Sequence, residues 1–108
     1  MIKISILYPN TPDTRFDMPY YLETHIPMAL EIFAAHPGYK GVSIERGLAG
    51  AMPETAAAYA VMCHFVFDSV DDFMAAFAPH AEKLQSDIAN YTDIEPVIQI
   101  SEVVMVAV

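Results

Sequence analysis

Tyr21 and His25 stand four residues apart in the run YYLETHIPM, a spacing that brings a phenol and an imidazole onto one face of a helix. A phenol donates a hydrogen bond and a neutral imidazole accepts a proton, so the pair suits polarising a carbonyl and moving a proton. At about 100° per residue, Met18, Tyr21, Leu22, His25, Ala29, Ile32 and Phe33 share one sector, with Glu23, Thr24, Pro27 and Glu31 opposite. His25 is thus central to an apolar stripe, either as a packed core histidine or as a group facing a cleft. Pro27 favours the cleft. It lacks an N–H and clashes with the carbonyl of Glu23, a disturbance of about 3 kcal/mol that kinks the helix beside His25.

His64 is the second candidate. Strand alternation sets it with Met62 and Val66, opposite Cys63 and Phe65. It joins the same cavity if that face looks toward the helices, and a dimer interface if it does not. His36 and His80 lie beside prolines near helix ends, where solvent exposure is the plainer account. No CxxC, HExxH or closely spaced carboxylate pattern accompanies the four histidines, so no metal site is expected. The four glycines form no phosphate loop and no serine sits in a nucleophile elbow, which argues against nucleotide and hydrolase chemistry; no organic cofactor is expected. Cys63, the only cysteine, lies in an apolar run and reads as a packed thiol.

The elements that must hold these groups follow from periodicity. Residues 2–8 alternate as a strand with Ile2, Ile4, Ile6 and Tyr8 on one side. Asp17 caps a helix predicted to run to about His36 with an interruption at Pro27. Residues 41–47 form a second strand, and residues 57–67 a third that is apolar on both faces. Ser69 with Asp72 resembles a capping box opening a second helical region, which Pro79 divides. Residues 96–108 form the last strand. The order β-α-β-β-α-β is that of a ferredoxin-like α+β domain, a four-stranded antiparallel sheet with both helices on one face, spanning residues 1–108 as one unit.

A chain of 108 residues that is 55% hydrophobic and only 18% charged has more apolar surface than one small core hides, and the uncovered sheet face predicts a homodimer packed sheet to sheet. The formal net charge of −9 repels phosphate backbones and anionic membrane surfaces, so nucleic acid and membranes are not expected partners. No apolar run reaches membrane-spanning length and the N-terminus has no secretory pattern, so a cytoplasmic location is expected.

Two segments carry a family resemblance. Tyr20 to Met28 resembles the aromatic-rich His-x-Pro signature on the first helix of EthD-like proteins. The run DIANYTDIEPVIQISEV, Asp87 to Val103, is similar to their second signature, with its D-x-x-N-(F/Y)-T-D core. The resemblance implies the dimeric α+β barrel arrangement, in which small, often aromatic or lactone-like compounds lie between sheet and helices. The wider group includes cofactor-independent monooxygenases, muconolactone isomerases and polyketide cyclases. Carried over by position, the resemblance marks His25 as the family histidine, Tyr21 as its aromatic neighbour and Asp93 as the acidic residue of the second signature. Asp93 either fixes the turn before the last strand or approaches His25 and orients its tautomer. Tyr20 also matches, but its helical angle turns it away from the buried sector.

The expected function is proton abstraction from a small apolar carbonyl, aromatic or lactone-like compound, with His25 as base and Tyr21 as donor. The alternative is a non-catalytic protein that binds an apolar ligand. A cavity well under about 300 Å³ would instead favour a closed assembly module, since ligand pockets for drug-sized molecules start near that volume.

Overall fold

A computed structural model describes residues 1–108. The chain forms a slab of 42 × 35 × 19 Å, two layers thick, with helices packed on one face of an antiparallel sheet ordered β2-β3-β1-β4. Strand β1 (Ile2–Pro9) buries Ile2, Ile4 and Tyr8 toward the helices, the alternation its sequence prescribes. It pairs with β3 (Tyr59–Phe67) and β4 (Val97–Glu102), and β2 (Tyr39–Arg46) completes the sheet beside β3. The four-stranded ferredoxin-like sheet expected from the element order is therefore present.

The first helical region begins where Asp17 accepts a hydrogen bond from the Tyr20 backbone N–H at 3.1 Å. It is not one helix. A short α1 (Met18–Tyr20) leads into a π-helical turn, Tyr21–His25, and then α2 (Ile26–Phe33). Pro27 explains the wide turn. Its ring displaces the carbonyl four residues back, and the chain responds by closing an Ile26 N–H to Tyr21 C=O bond one residue longer than an α-helical one. Pro27 then sits in the first turn of α2, where a missing N–H costs nothing.

Ser69 caps α3 (Val70–Phe77), its Oγ accepting from the Asp72 N–H at 3.1 Å. Pro79 divides the region as expected: a 3-10 turn, Ala78–His80, separates α3 from α4 (Ala81–Ser86). A further 3-10 turn, Ile88–Asn90, carries the chain toward β4.

Two sequence expectations need correction. The last strand stops at Glu102 rather than running to Val108, because Glu102 pairs with Ile2 and β1 offers no further ladder partner. Val104, Met105, Val106 and Val108 are left exposed. The outer sheet face is also less apolar than expected. The register lines up Ser43, His64, Ser5 and Gln99 as a polar row across all four strands, flanked by Met62, Leu7 and Val97. No helix of the structure is long and apolar enough to cross a membrane.

Candidate functional site

His25 occupies the end of the π-helical turn, 9% exposed, with its ring stacked on Tyr21 at 5.8 Å and tilted against Tyr91 at 4.6 Å. Its Nδ1 lies 2.8 Å from Oδ2 of Asp87, at the C-terminal end of α4. The other oxygen of that carboxylate, Oδ1, accepts from the Tyr20 hydroxyl at 2.7 Å and from the Asn90 side-chain amide at 2.9 Å. Desolvation pushes the Asp87 carboxyl upward, but the hydrogen bonds from Asn90, Tyr20 and His25 outweigh it and hold the group below the usual carboxylate range. An ionised carboxylate accepts only, so Nδ1–H of His25 is the donor and the lone pair of the neutral ring resides on Nε2.

Nε2 makes no hydrogen bond within the protein, yet no buried side-chain polar atom lacks a partner. The atom is therefore accessible. His25 lines a cavity of about 180 Å³ in which 14 of 17 lining residues are hydrophobic and none is Lys, Arg, Asp or Glu. The cavity lies between two aromatic clusters. Tyr8, Tyr21 and Tyr91 gather around His25 at one end. At the other end Phe33 meets Phe65 and Phe73 edge-on, and Phe73 stacks on Phe77 at 5.3 Å. One end thus offers imidazole and phenol groups and the other only hydrocarbon. Gln85 and Ile88 on one side, with Pro96 and Ile98 on the other, line the cavity between the α4 region and β4.

Tyr21 is nearly sealed at 1% exposure and lines the cavity, with the Cys63 thiol of β3 among the groups near its hydroxyl. Tyr8 and Tyr91 pair their hydroxyls at 2.7 Å. Burial pushes the Tyr8 phenol up to about 12 and raises those of Tyr21 and Tyr91 further. All three are neutral groups at working pH. Burial likewise pushes the Cys63 thiol up to about 12, in keeping with a packed, unreactive cysteine.

The other two sequence candidates lie elsewhere. His64 is on the outer sheet face, because Cys63 and Phe65 take the positions facing the helices. There its Nδ1 lies 2.7 Å from Oγ of Ser5 and its Nε2 lies 3.1 Å from Oε1 of Glu45. Asp93 does not approach His25. Its Oδ1 accepts from the Arg15 backbone N–H at 2.9 Å, while Thr92 donates to the Arg15 carbonyl and accepts from the Ile94 N–H, so this pair fixes the chain ahead of β4. The acidic residue that orients the imidazole is Asp87, the first residue of the same signature. Sequence reasoning passed over Asp87, while Tyr20 lies outside the cavity lining as its helical angle implied and instead reaches Asp87. The D-x-x-N spacing was the available signal, since it puts the Asn90 amide within reach of its carboxylate.

The fold is of the ferredoxin-like α+β class, here with His25 held by a carboxylate at the edge of an aromatic cavity. Within it the chain belongs to the EthD family, whose domain matches residues 13–95. An EthD-like protein from Ralstonia eutropha is 42% identical, with a TM-score of 0.88 over 96% of this chain and 92% of its own. An ethyl tert-butyl ether degradation family protein from Bacillus halodurans, 19% identical, superposes with a TM-score of 0.62 over 94% of this chain and 97% of its own. SnoaB, a cofactor-independent oxygenase from Streptomyces nogalater, shares the fold at 15% identity, with a TM-score of 0.56 over 97% of this chain and 93% of its own. No functionally curated protein matches the chain.

Proposed function

We propose that this chain is a cofactor-independent small-molecule enzyme, acting as a homodimer, in which His25 moves a proton to or from an apolar substrate held in the aromatic cavity. One observation carries the reading: the 2.8 Å contact of Nδ1 with Asp87 leaves the accessible Nε2 as the basic atom of a group lining a cavity. In the step the chemistry requires, Nε2 takes a proton from a weak O–H or C–H acid. The electron pair stays on the substrate, and the imidazolium formed is balanced by Asp87. The Tyr8, Tyr21 and Tyr91 phenols, held neutral, line the cavity around His25 and add no charge that would oppose the developing anion. The same fold serves a cofactor-independent oxygenase in Streptomyces nogalater, which supports a chemistry run by side chains alone.

Self-association is supported by surface area. A folded monomer of 11.9 kDa exposes about 6,000 Å². This chain exposes 6830 Å², and only 19 of its 108 residues are buried. The excess falls partly on Val97 of the outer sheet face and on Val104, Met105, Val106 and Val108, apolar residues that a second copy would cover.

The test is isotope exchange. Small cyclic ketones and lactones in D₂O should exchange the hydrogens beside their carbonyl at least about 10²-fold faster with the protein than with His25→Ala, the usual contribution of a general base. Equal rates across such a panel would remove the enzymatic role. They would leave two readings, a non-catalytic protein that holds an apolar ligand and a closed assembly module, the latter favoured by a cavity volume of about 180 Å³ that falls short of a drug-sized pocket. Against the closed module, no methionine side chain fills or lines the cavity.

A further inference from the structure

The cavity's volume, charge and hydrogen-bonding polarity restrict its occupant more closely than the family does. We infer that the natural ligand is one uncharged ring of benzene size bearing a weakly acidic hydroxyl, a phenol or cyclic enol, whose O–H is donated to Nε2 of His25. This rests on the proposed role of His25 as the basic group of the site.

Size comes first. An apolar cavity of about 150 Å³ takes up benzene, so a cavity of about 180 Å³ seats one ring and a small substituent, and a fused second ring would protrude through its open side. Charge comes second. No Lys or Arg lines the cavity, the nearest ion is the Asp87 carboxylate behind His25, and the whole chain carries a net charge of −9. A ring bearing a carboxylate would be desolvated with no cation to meet it and would be repelled by its surroundings.

Hydrogen-bond polarity comes third and decides the functional group. Because Asp87 takes the Nδ1–H, Nε2 offers only a lone pair. A ketone or ether oxygen at Nε2 would set an acceptor against an acceptor, so a ketone can meet it only through a C–H beside the carbonyl, whereas a hydroxyl satisfies it directly. The two aromatic clusters match that orientation, with the hydroxyl among Tyr21, Tyr91 and His25 and the hydrocarbon edge against Phe73 and Phe77. Proton transfer along that bond breaks O–H, forms N–H, and leaves a phenolate or enolate beside the imidazolium.

Binding of four probes to the whole protein, read by NMR titration, tests each restriction separately. Phenol should bind at least tenfold more tightly than toluene, benzoate or 2-naphthol. His25→Ala should weaken phenol at least tenfold and leave toluene unchanged. Toluene equal to phenol, or phenol indifferent to His25→Ala, overturns the hydroxyl assignment. Benzoate or 2-naphthol equal to phenol overturns the charge or the size limit, and no binding by any probe overturns the inference entirely. Phenol binding that depends on His25, without isotope exchange on any substrate, would sink the proton-transfer role and leave the ligand class standing. Exchange catalysed only on a bicyclic substrate would do the reverse.

Discussion

Tyr20 and His25, five residues apart on the first helical region, grip opposite oxygens of a single carboxylate, that of Asp87, at 2.7 and 2.8 Å. On an α-helix, residues five apart point in different directions. The π-helical turn lets both reach one partner. If Asp87 exists to hold His25 in the Nε2-basic tautomer, Asp87→Asn should disturb that tautomer and cut phenol binding or exchange activity about 10- to 100-fold, the range seen when a histidine loses its orienting partner. Nitrogen-15 chemical shifts of His25 report the tautomer directly. An unchanged shift pattern in Asp87→Asn would refute the orienting role.

Tyr20→Phe makes a finer test of the same group. The variant loses one donor to Oδ1 while Asn90 keeps the other. The Asp87 carboxyl should move up toward its ordinary value of 3.8, because one of the hydrogen bonds opposing desolvation is gone. Carbon-13 titration of the carboxyl checks this. His25 should keep its place in the cavity, so ring binding should weaken only a few-fold.

How much of this was legible beforehand depended on distance along the chain. The strands declared themselves by alternation, as in Ile2, Ile4 and Tyr8, and the stripe through His25 placed that residue on the inner face. The π turn did not declare itself, since a fixed helical period contains no place for it, and so the shared grip of Tyr20 and His25 on one carboxylate went unseen. Asp87 is 62 residues from His25, and only the D-x-x-N spacing to Asn90 sets it apart from Asp93, which lies in the same signature and anchors Arg15 instead. The face of His64 was decided by which neighbours the helices cover, Cys63 and Phe65, a tertiary fact that strand alternation leaves as a choice of two.

Pro27 separates stability from site geometry. Pro27→Ala restores an N–H and removes the clash that a regular α-helix would suffer at Glu23, so the first helical region can revert to α-helical bonding through His25. The melting temperature should hold or rise, while the His25–Asp87 contact is lost and phenol affinity falls about tenfold. Calorimetry and the NMR titration read the two effects independently. A variant that keeps full affinity would show that the wide turn does not set the imidazole.

The pH dependence has two limbs with opposite origins. Asp87 has a folded-state pKa below its ordinary 3.8, so its contribution to stability is complete above about pH 4 to 5 and is lost as pH falls through the folded value. The stability difference between wild type and Asp87→Asn should therefore be flat at neutral pH and shrink only in acid. Tyr8, raised from 10.0 to about 12, and Cys63, raised from 9.0 to about 12, behave the other way. Their unfolded forms ionise first, so stability falls as pH rises through that window. Of the six tyrosines, Tyr8, Tyr21 and Tyr91 should show phenolate absorbance only as the protein unfolds. Early ionisation of all six would contradict the sealed environment.

The two histidines on opposite sides of the sheet should answer to different measurements. His64 bridges Ser5 and Glu45 on the face turned away from the helices, and no atom of it borders the aromatic cavity. If a second copy covers that face, His64→Glu sets a like charge beside Glu45 within the buried row, and two copies bring four carboxylates together. Dimerisation should weaken by at least about tenfold, since uncompensated buried charge costs several kcal/mol. Phenol binding per chain should stay within about two-fold, because the cavity lies between helices and sheet within one copy. Sedimentation velocity alongside the NMR titration distinguishes the roles: a variant that stays fully dimeric argues that the partner packs elsewhere, for instance along β4 and the exposed valines beyond Val103.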